Sequence, residues 1–260
     1  MDQGLHRLTV FSPHLRVVRT IGYADKILKP HDAPAAATNL FKDGSVVLIA
    51  QHSSTATPEK DDQRLPIFRM APDGSRLDTI AWRTALHATL RVEHRGTTIF
   101  TAQPWDDSDI VEYSRDERGM VLVRRVAARD PLAGRIEITW LGPSGDTTLR
   151  RTYAYDPLAL DDAEFSKVLA AATLRAARSL RATGRKSQVE LDVRRALFRP
   201  RYLPPVSRAA LAIDGTLWLR RETYVGLPSD WVAIGPDGHI KGVVALPSTT
   251  RLLQSLGTHI

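Results

Sequence analysis

The side chains best suited to chemistry in this chain are arginines. Positions 175 to 208 hold ten basic residues (Arg175, Arg178, Arg181, Arg185, Lys186, Arg194, Arg195, Arg199, Arg201 and Arg208) against two acidic ones, Glu190 and Asp192. The 260-residue chain carries +7 overall, so the excess of eight in this segment leaves the remainder slightly acidic. Guanidinium groups grip phosphates and carboxylates through a rigid fork of donors. The segment 167–208 is therefore a candidate polyanion site, with Arg175, Arg178, Arg181, Arg185, Arg194 and Arg195 as its anion-binding residues. Aromatic residues there are few (Phe198 and Tyr202), so bases would find little to stack on, which argues against nucleic acid as the ligand. The competing reading is a solvated helix face on an arginine-rich protein.

Other chemistry-bearing types are scattered. The run Trp105-Asp106-Asp107-Ser108-Asp109 is rich in carboxylates but lacks the glycine and distal glutamate of a calcium loop. It reads as a turn-forming loop, with Trp105 as a weak candidate ligand platform. The eight histidines (His6, His14, His31, His52, His87, His94, His239 and His259) form no His-x-His or His-x-x-x-His pair, the close spacing that a helix or strand uses to hold a metal. There is no cysteine, so disulfides, zinc-thiolate sites and cysteine nucleophiles are excluded. The sequence has no nucleophile elbow, no phosphate loop and no dinucleotide fingerprint. No catalytic, metal-ligating or cofactor-binding residue is assigned, and no cofactor is expected.

The elements that carry these residues are hairpins. Short apolar strands flank a Pro-containing turn at Pro13-His14, Pro72-Asp73-Gly74, Pro143-Ser144-Gly145 and Pro236-Asp237-Gly238. Between them lie hairpins expected to turn at Asp43-Gly44, Arg118-Gly119 and Asp214-Gly215, read as two-residue turns that match strand twist. One hairpin of each type makes a four-stranded antiparallel unit, the composition of a propeller blade. The fold class expected is all-β: a β-propeller-like array of such blades in one domain over 1–260, with one inserted helix over 161–183. Asp161 and Glu164 stand in capping-box relation at the start of that helix. Phe165, Val168, Leu169, Ala172, Ala176 and Leu180 form its apolar stripe, and Gly184 marks its stop. The polar stretch Gln51–Gln63 is a second insertion. Trp82, Trp140, Trp218 and Trp231 fall in strand patterns and read as packing residues.

Composition sets the outer bounds. Apolar residues make up 43% and charged residues 25%, an ordinary globular balance. No run approaches the roughly 20 apolar residues of a spanning helix, so no membrane span is expected. The start of the chain shows no leader pattern, and the compartment stays open, the cell envelope included.

Several stretches carry a family likeness. Thr98-Ile99-Phe100-Thr101-Ala102-Gln103-Pro104-Trp105, the run from Ile138 to Thr147, and Arg151-Thr152-Tyr153-Ala154-Tyr155-Asp156-Pro157 resemble a group of bacterial six-bladed β-propeller proteins of unassigned function. Pro204-Pro205-Val206, Asp214 to Arg221, Gly235 to Gly238 and Leu246-Pro247 resemble later blades of the same group. The resemblance implies a propeller and transfers no catalytic residue. It also implies more blades than the three full patterns counted here. The chain is thus expected to be an incomplete ring, an arc whose residues 251–260 do not pair with 8–22. Function is expected to be non-enzymatic binding or scaffolding of an unknown protein or small molecule. A propeller hydrolase or lactonase with a channel-mouth site is one alternative, and polyanion binding through the basic segment is another.

Overall fold

A computed structural model describes residues 7–23, 35–50, 64–85, 89–114, 116, 117, 119–126, 128, 134–180, 186–248 and 250. The hairpins begin with β1 (Arg7–Phe11) and β2 (Val17–Gly22), followed by β3 (Ala35–Leu40), β4 (Val46–Ala50), β5 (Arg64–Met70) and β6 (Leu77–Thr84). Then come β7 (Thr89–His94) and β8 (Thr97–Ala102), and next β9 (Ile110–Tyr113), β10 (Met120–Val126), β11 (Gly134–Leu141) and β12 (Thr147–Tyr155). Helices α1 (Asp162–Ser179) and α2 (Lys186–Ala196) precede β13 (Val206–Leu211), β14 (Leu217–Arg221), β15 (Ser229–Ile234) and β16 (Ile240–Leu246).

The turn chemistry is more uniform than the sequence suggests. Gly44 N donates to Phe41 O at 2.8 Å, Gly74 N to Ala71 O at 2.8 Å, and Gly145 N to Gly142 O at 3.0 Å. Gly215 N donates to Ala212 O at 3.1 Å and Gly238 N to Gly235 O at 2.9 Å. In each case the glycine is left-handed, with φ between +74° and +87°. These are three-residue loops, a type I turn followed by a left-handed glycine bulge. The two-residue turns expected at Asp43-Gly44 and Asp214-Gly215 are therefore corrected. The cause is the aspartate. Asp43 Oδ1 accepts from Ser45 N at 2.9 Å, and Asp214 Oδ1 from Thr216 N at 3.0 Å. Asp73 and Asp237 clasp Ser75 N and His239 N in the same way. This local clasp fixes the aspartate inside the turn and pushes glycine to the bulge. The turn expected at Arg118-Gly119 lies earlier too: Glu117 N donates to Ser114 O at 3.0 Å, and Glu117 is the left-handed residue, at φ +59°. A genuine two-residue turn joins β7 to β8, with Arg95 at φ +50° and Gly96 at +78°.

Three sheets have four strands, in the orders β3-β4-β5-β6, β12-β11-β10-β9 and β13-β14-β15-β16, and two are single hairpins, β1-β2 and β7-β8. Each four-stranded sheet is an up-and-down meander, so the fold is all-β and propeller-like. Burial is greatest in the middle strands, as in β5 and β11, and least in the last, where β12 and β16 have no fully buried residue.

The chain forms two compact units. The first comprises Met1–Ala85, Val111–Leu122 and Thr139–Arg150; the second comprises Leu86–Ile110, Val123–Ile138 and Arg151–Ile260. In the first unit, Leu48, Phe68 and Met70 build one cluster with Tyr23, and Val47, Ile67, Met120 and Leu141 build another with Phe41. Burial of each large apolar side chain contributes roughly 1.5–3 kcal/mol. Gly145 meets this core closely: an added Cβ would lie 2.7 Å from Ile80 Cβ and 2.9 Å from its carbonyl oxygen.

The second unit holds the helices. Asp161 caps α1, its Oδ1 accepting from Glu164 N at 2.7 Å, a bond whose loss costs about 1 kcal/mol. The expected capping box is only half formed. Glu164 is buried, and its Oε1 accepts from Val225 N at 2.6 Å instead of returning to the cap. Phe165, Val168, Leu169, Ala172 and Ala176 pack as the periodicity predicts. Their partner is α2, whose Val189 and Val193, with Leu197 just beyond it, continue an i, i+4 stripe; both helices cover Leu90 and Val92 of β7. Helix α2 departs from the single helix expected over 161–183. Residues 181–185 lie outside the described residues, as do the 51–63 insertion and the proposed non-pairing of 251–260. The histidine His94 of β7, 8% exposed, pins α2 through Nδ1 to Asp192 Oδ2 at 2.8 Å. That bond holds the Asp192 carboxyl below its ordinary range.

Candidate functional site

Arg175 and Arg178 stand exposed on α1, and Arg194 and Arg195 on α2. Arg194 Nη2 lies 3.4 Å from Glu190 Oε1 and its guanidinium 5.9 Å from the Phe165 ring centre. Arg181 and Arg185 are outside the described residues. Of the wider basic segment, Arg199 and Arg201 do reach a concavity. Arg199 pairs with Asp162 and covers Phe165 at 4.5 Å, while Arg201 lies 5.3 Å over Tyr202. Trp105 stacks on Phe165, at 5.9 Å and 20°. Trp105 is only 4% exposed, which corrects its reading as a ligand platform. Trp82 departs in the opposite sense: expected to pack, it is 45% exposed on β6.

The acidic run is a loop built around a buried cation. Asp106 Oδ1 accepts from Ser108 N at 2.8 Å. Arg125 of β10, whose side chain is 4% exposed, sends Nε to Ser108 O at 2.6 Å and Nη1 to Val206 O at 3.0 Å, with Asp106 Oδ1 at 3.5 Å. Burial lowers the Arg125 pKa, against the pull of Asp106, Asp107, Asp109 and Glu222. One guanidinium thus offsets part of the charge of these carboxylates and fixes the start of β13.

Beside this network three concavities of the second unit share walls. The first, about 270 Å³, has an apolar wall of Ile136, Val206, Leu219, Val232, Ile234, Ile240 and Val243, with Tyr153, Tyr155, Asp156 and Arg221 at its border. Tyr155, Asp156, Pro205 and Arg221 also line the second, about 290 Å³, together with Glu222, Thr223 and Asp230. The third, about 200 Å³, adjoins at Leu203, Pro204 and Pro205 and contains Asp107, Arg125, Arg199, Arg201 and Tyr202.

Local sequence explains these positions. Tyr153 and Tyr155 fall two apart on β12 and so share a face, and Tyr153 Oη donates to Gly238 O at 2.5 Å. Gly134 leaves room for the Tyr155 ring, which an added Cβ would meet at 2.5 Å. Pro204-Pro205 keeps the chain extended before β13. Glu222 N donates to Pro205 O at 3.3 Å. Burial raises the Glu222 carboxyl above its ordinary range, opposed by Arg220, Ser207 and Arg125.

Sequence reasoning missed this groove. Its only signals were the Tyr153/Tyr155 alternation and the Pro-Pro pair. Among the described residues no group of three or more His, Asp or Glu is placed to hold a metal ion, and no helix is long and apolar enough to cross a membrane.

No protein family and no curated protein matches the chain. Among solved structures, the chain is similar to a gluconolactonase of Xanthomonas campestris described as important in glucose secondary metabolic pathways, at 12% identity and a TM-score of 0.37. The likeness covers 93% of this chain and 55% of that one, so the chain spans about half the length of that protein.

Proposed function

We propose that this chain is a binding protein whose small amphipathic ligand lies in the groove of the second unit. This goes with the six-bladed propeller group of unassigned function that its strand and turn motifs resemble. The observation that carries the reading is an apolar wall left uncovered: Ile240 and Val243 line the first cavity yet are each 57% exposed. Concave apolar surface with a few polar groups at its border is what small ligands occupy.

N-phenyl-1-naphthylamine, an uncharged apolar fluorophore, is the probe. Its emission is expected to rise on binding. Val243→Trp and Ile240→Trp, which fill the cavity from exposed positions, are expected to weaken binding at least tenfold, about 1.4 kcal/mol, with unchanged melting temperatures. Equal binding by both variants would place the probe elsewhere and defeat the reading.

A second reading, a hydrolase or lactonase, is favoured by Glu222 alone, a half-buried carboxyl on the groove wall whose pKa is raised by desolvation, the kind of group that general acid or base work uses. A δ-lactone panel should then be hydrolysed by the wild type and not by Glu222→Gln. No turnover above buffer by the wild type would remove that reading and leave binding in place.

A further inference from the structure

The β1–β2 hairpin is rooted in the first unit and bare at its tip. Leu8 and Ile21 pack against the cluster around Tyr23, and Arg19 Nη2 donates to Pro72 O. Beyond them the apolar residues face water: Leu15 is 83% exposed, Val17 61% and Val18 62%, with Phe11 exposed beside them. Four consecutive residues of β2, Val17 to Thr20, are exposed, so both faces of the strand are uncovered there. The turn adds an independent observation. Ser12 N donates to Arg16 O at 2.8 Å and Leu15 N to Ser12 O at 2.9 Å, the second bond being the one that closes the glycine turns. Leu15 thus takes the left-handed position that glycine holds at 44, 74, 145, 215 and 238, at φ +59°. A leucine is strained there, where glycine is not, and gains no burial in return.

Charge says what the tip would meet. Residues 7–23 hold Arg7, Arg16, Arg19 and His14 and no acidic side chain. Asp73 acts on Arg19 at the root, whereas Arg16, in the turn, has no acidic partner among the described residues. We propose that this hairpin docks the chain on an anionic bilayer surface: Phe11, Leu15, Val17 and Val18 enter the headgroup boundary, and Arg16 lies against the lipid phosphates. A protein surface laid on β2 would cover one face of it. A lipid layer closes round a tip on every side, which suits a strand bare on both faces and a turn that presents leucine outward. The hairpin enters the surface without crossing it, and the proposal does not depend on the groove of the second unit.

Flotation of the whole chain with vesicles tests the proposal, using phosphatidylcholine alone and phosphatidylcholine mixed with phosphatidylglycerol in equal parts. The wild type is expected to float with the mixed vesicles and to bind the neutral ones at least tenfold more weakly. High salt should narrow that difference as the charges are screened. Leu15→Gly is the discriminating variant. Glycine suits the turn, so the melting temperature should hold or rise, while binding to the mixed vesicles should fall at least fivefold. Val17→Thr combined with Val18→Thr, which keeps β-branched residues in the strand, should weaken binding in the same way. Arg16→Gln should weaken binding to the mixed vesicles and leave binding to the neutral ones unchanged. A wild type that floats with neither kind of vesicle overturns the proposal and leaves the tip to a protein partner. Full binding by a folded Leu15→Gly overturns it as well, and equal binding to the two kinds of vesicle removes anionic lipid as the partner.

Discussion

Replacing Arg125 with Met is expected to lower the unfolding free energy by about 3–5 kcal/mol, the range for removing one partner of a buried charged network. Three terms combine. The carbonyl oxygens of Ser108 and Val206 lose their donor, each unsatisfied group costing about 1–3 kcal/mol. The carboxylates at Asp106, Asp107, Asp109 and Glu222 lose the cation that they surround. The residue at 206, which begins β13 and lines the apolar cavity, is no longer anchored to β10. Denaturant melts measure the loss. Arg125→Lys should recover less than half, because an ammonium cannot span both carbonyls with the fork that a guanidinium provides. The same variant should weaken N-phenyl-1-naphthylamine binding even where it remains folded. A loss below 1 kcal/mol would show that the loop is held by other contacts.

Glu112→Gln is expected to change how stability depends on pH. Glu112 lies on β9, beside Tyr113, whose hydroxyl is 2.6 Å from Thr38 Oγ1. Burial pushes the Glu112 carboxyl from 4.5 to about 7, and the Tyr113 phenol from 10.0 to about 12. In the folded chain Glu112 therefore keeps its proton up to about pH 7, while in the unfolded chain it is lost near pH 4.5. Its contribution to stability is full below the lower value and disappears as pH rises through the upper one. The full shift corresponds to about 3 kcal/mol, reduced to roughly 1–2 kcal/mol because the carboxyl keeps some contact with water. Gln carries no charge at any pH. The variant should match the wild type at pH 4.5 and exceed it by that amount at pH 8, as read by paired thermal melts. Parallel stability curves for the two proteins across this range would place Glu112 in water.

These residues differ in how plainly the sequence announces them. The hairpins are legible because each turn is a local event: Pro, Asp and Gly act within four residues, and their order along the chain gives the pairing of strands within each sheet. Where the reading fails, it fails by one residue, at Asp43-Gly44 and Asp214-Gly215, because hydrogen bonding by the aspartate side chain decides which residue goes left-handed. Helix α1 announces itself through a long apolar stripe and Asp161. Helix α2 does not, since Lys186–Ala196 has few apolar positions and depends on α1 and β7 to cover Val189 and Val193. The groove is the least legible. Ile136, Tyr155, Val206 and Val243 each read as an ordinary strand residue, and only folding makes them neighbours. The charge count pointed to the basic segment 167–208, of which Arg199 and Arg201 line one concavity; another gathers Asp156, Glu222 and Asp230, which are far apart in sequence, with Arg221.

The sheet orders carry one more consequence. Among the described residues, strands β12 and β16 are each the last of a sheet, bonded to a neighbour along one side, and they supply Tyr153, Tyr155, Ile240 and Val243 to the groove. A ligand that needs more width can therefore press either strand outward by bending it at its outer margin, with the inner ladders left intact. The groove's walls are compliant where its occupant touches them and stiff where the fold depends on them, so molecules of differing girth can share one seat while the four-stranded sheets behind it keep their registers.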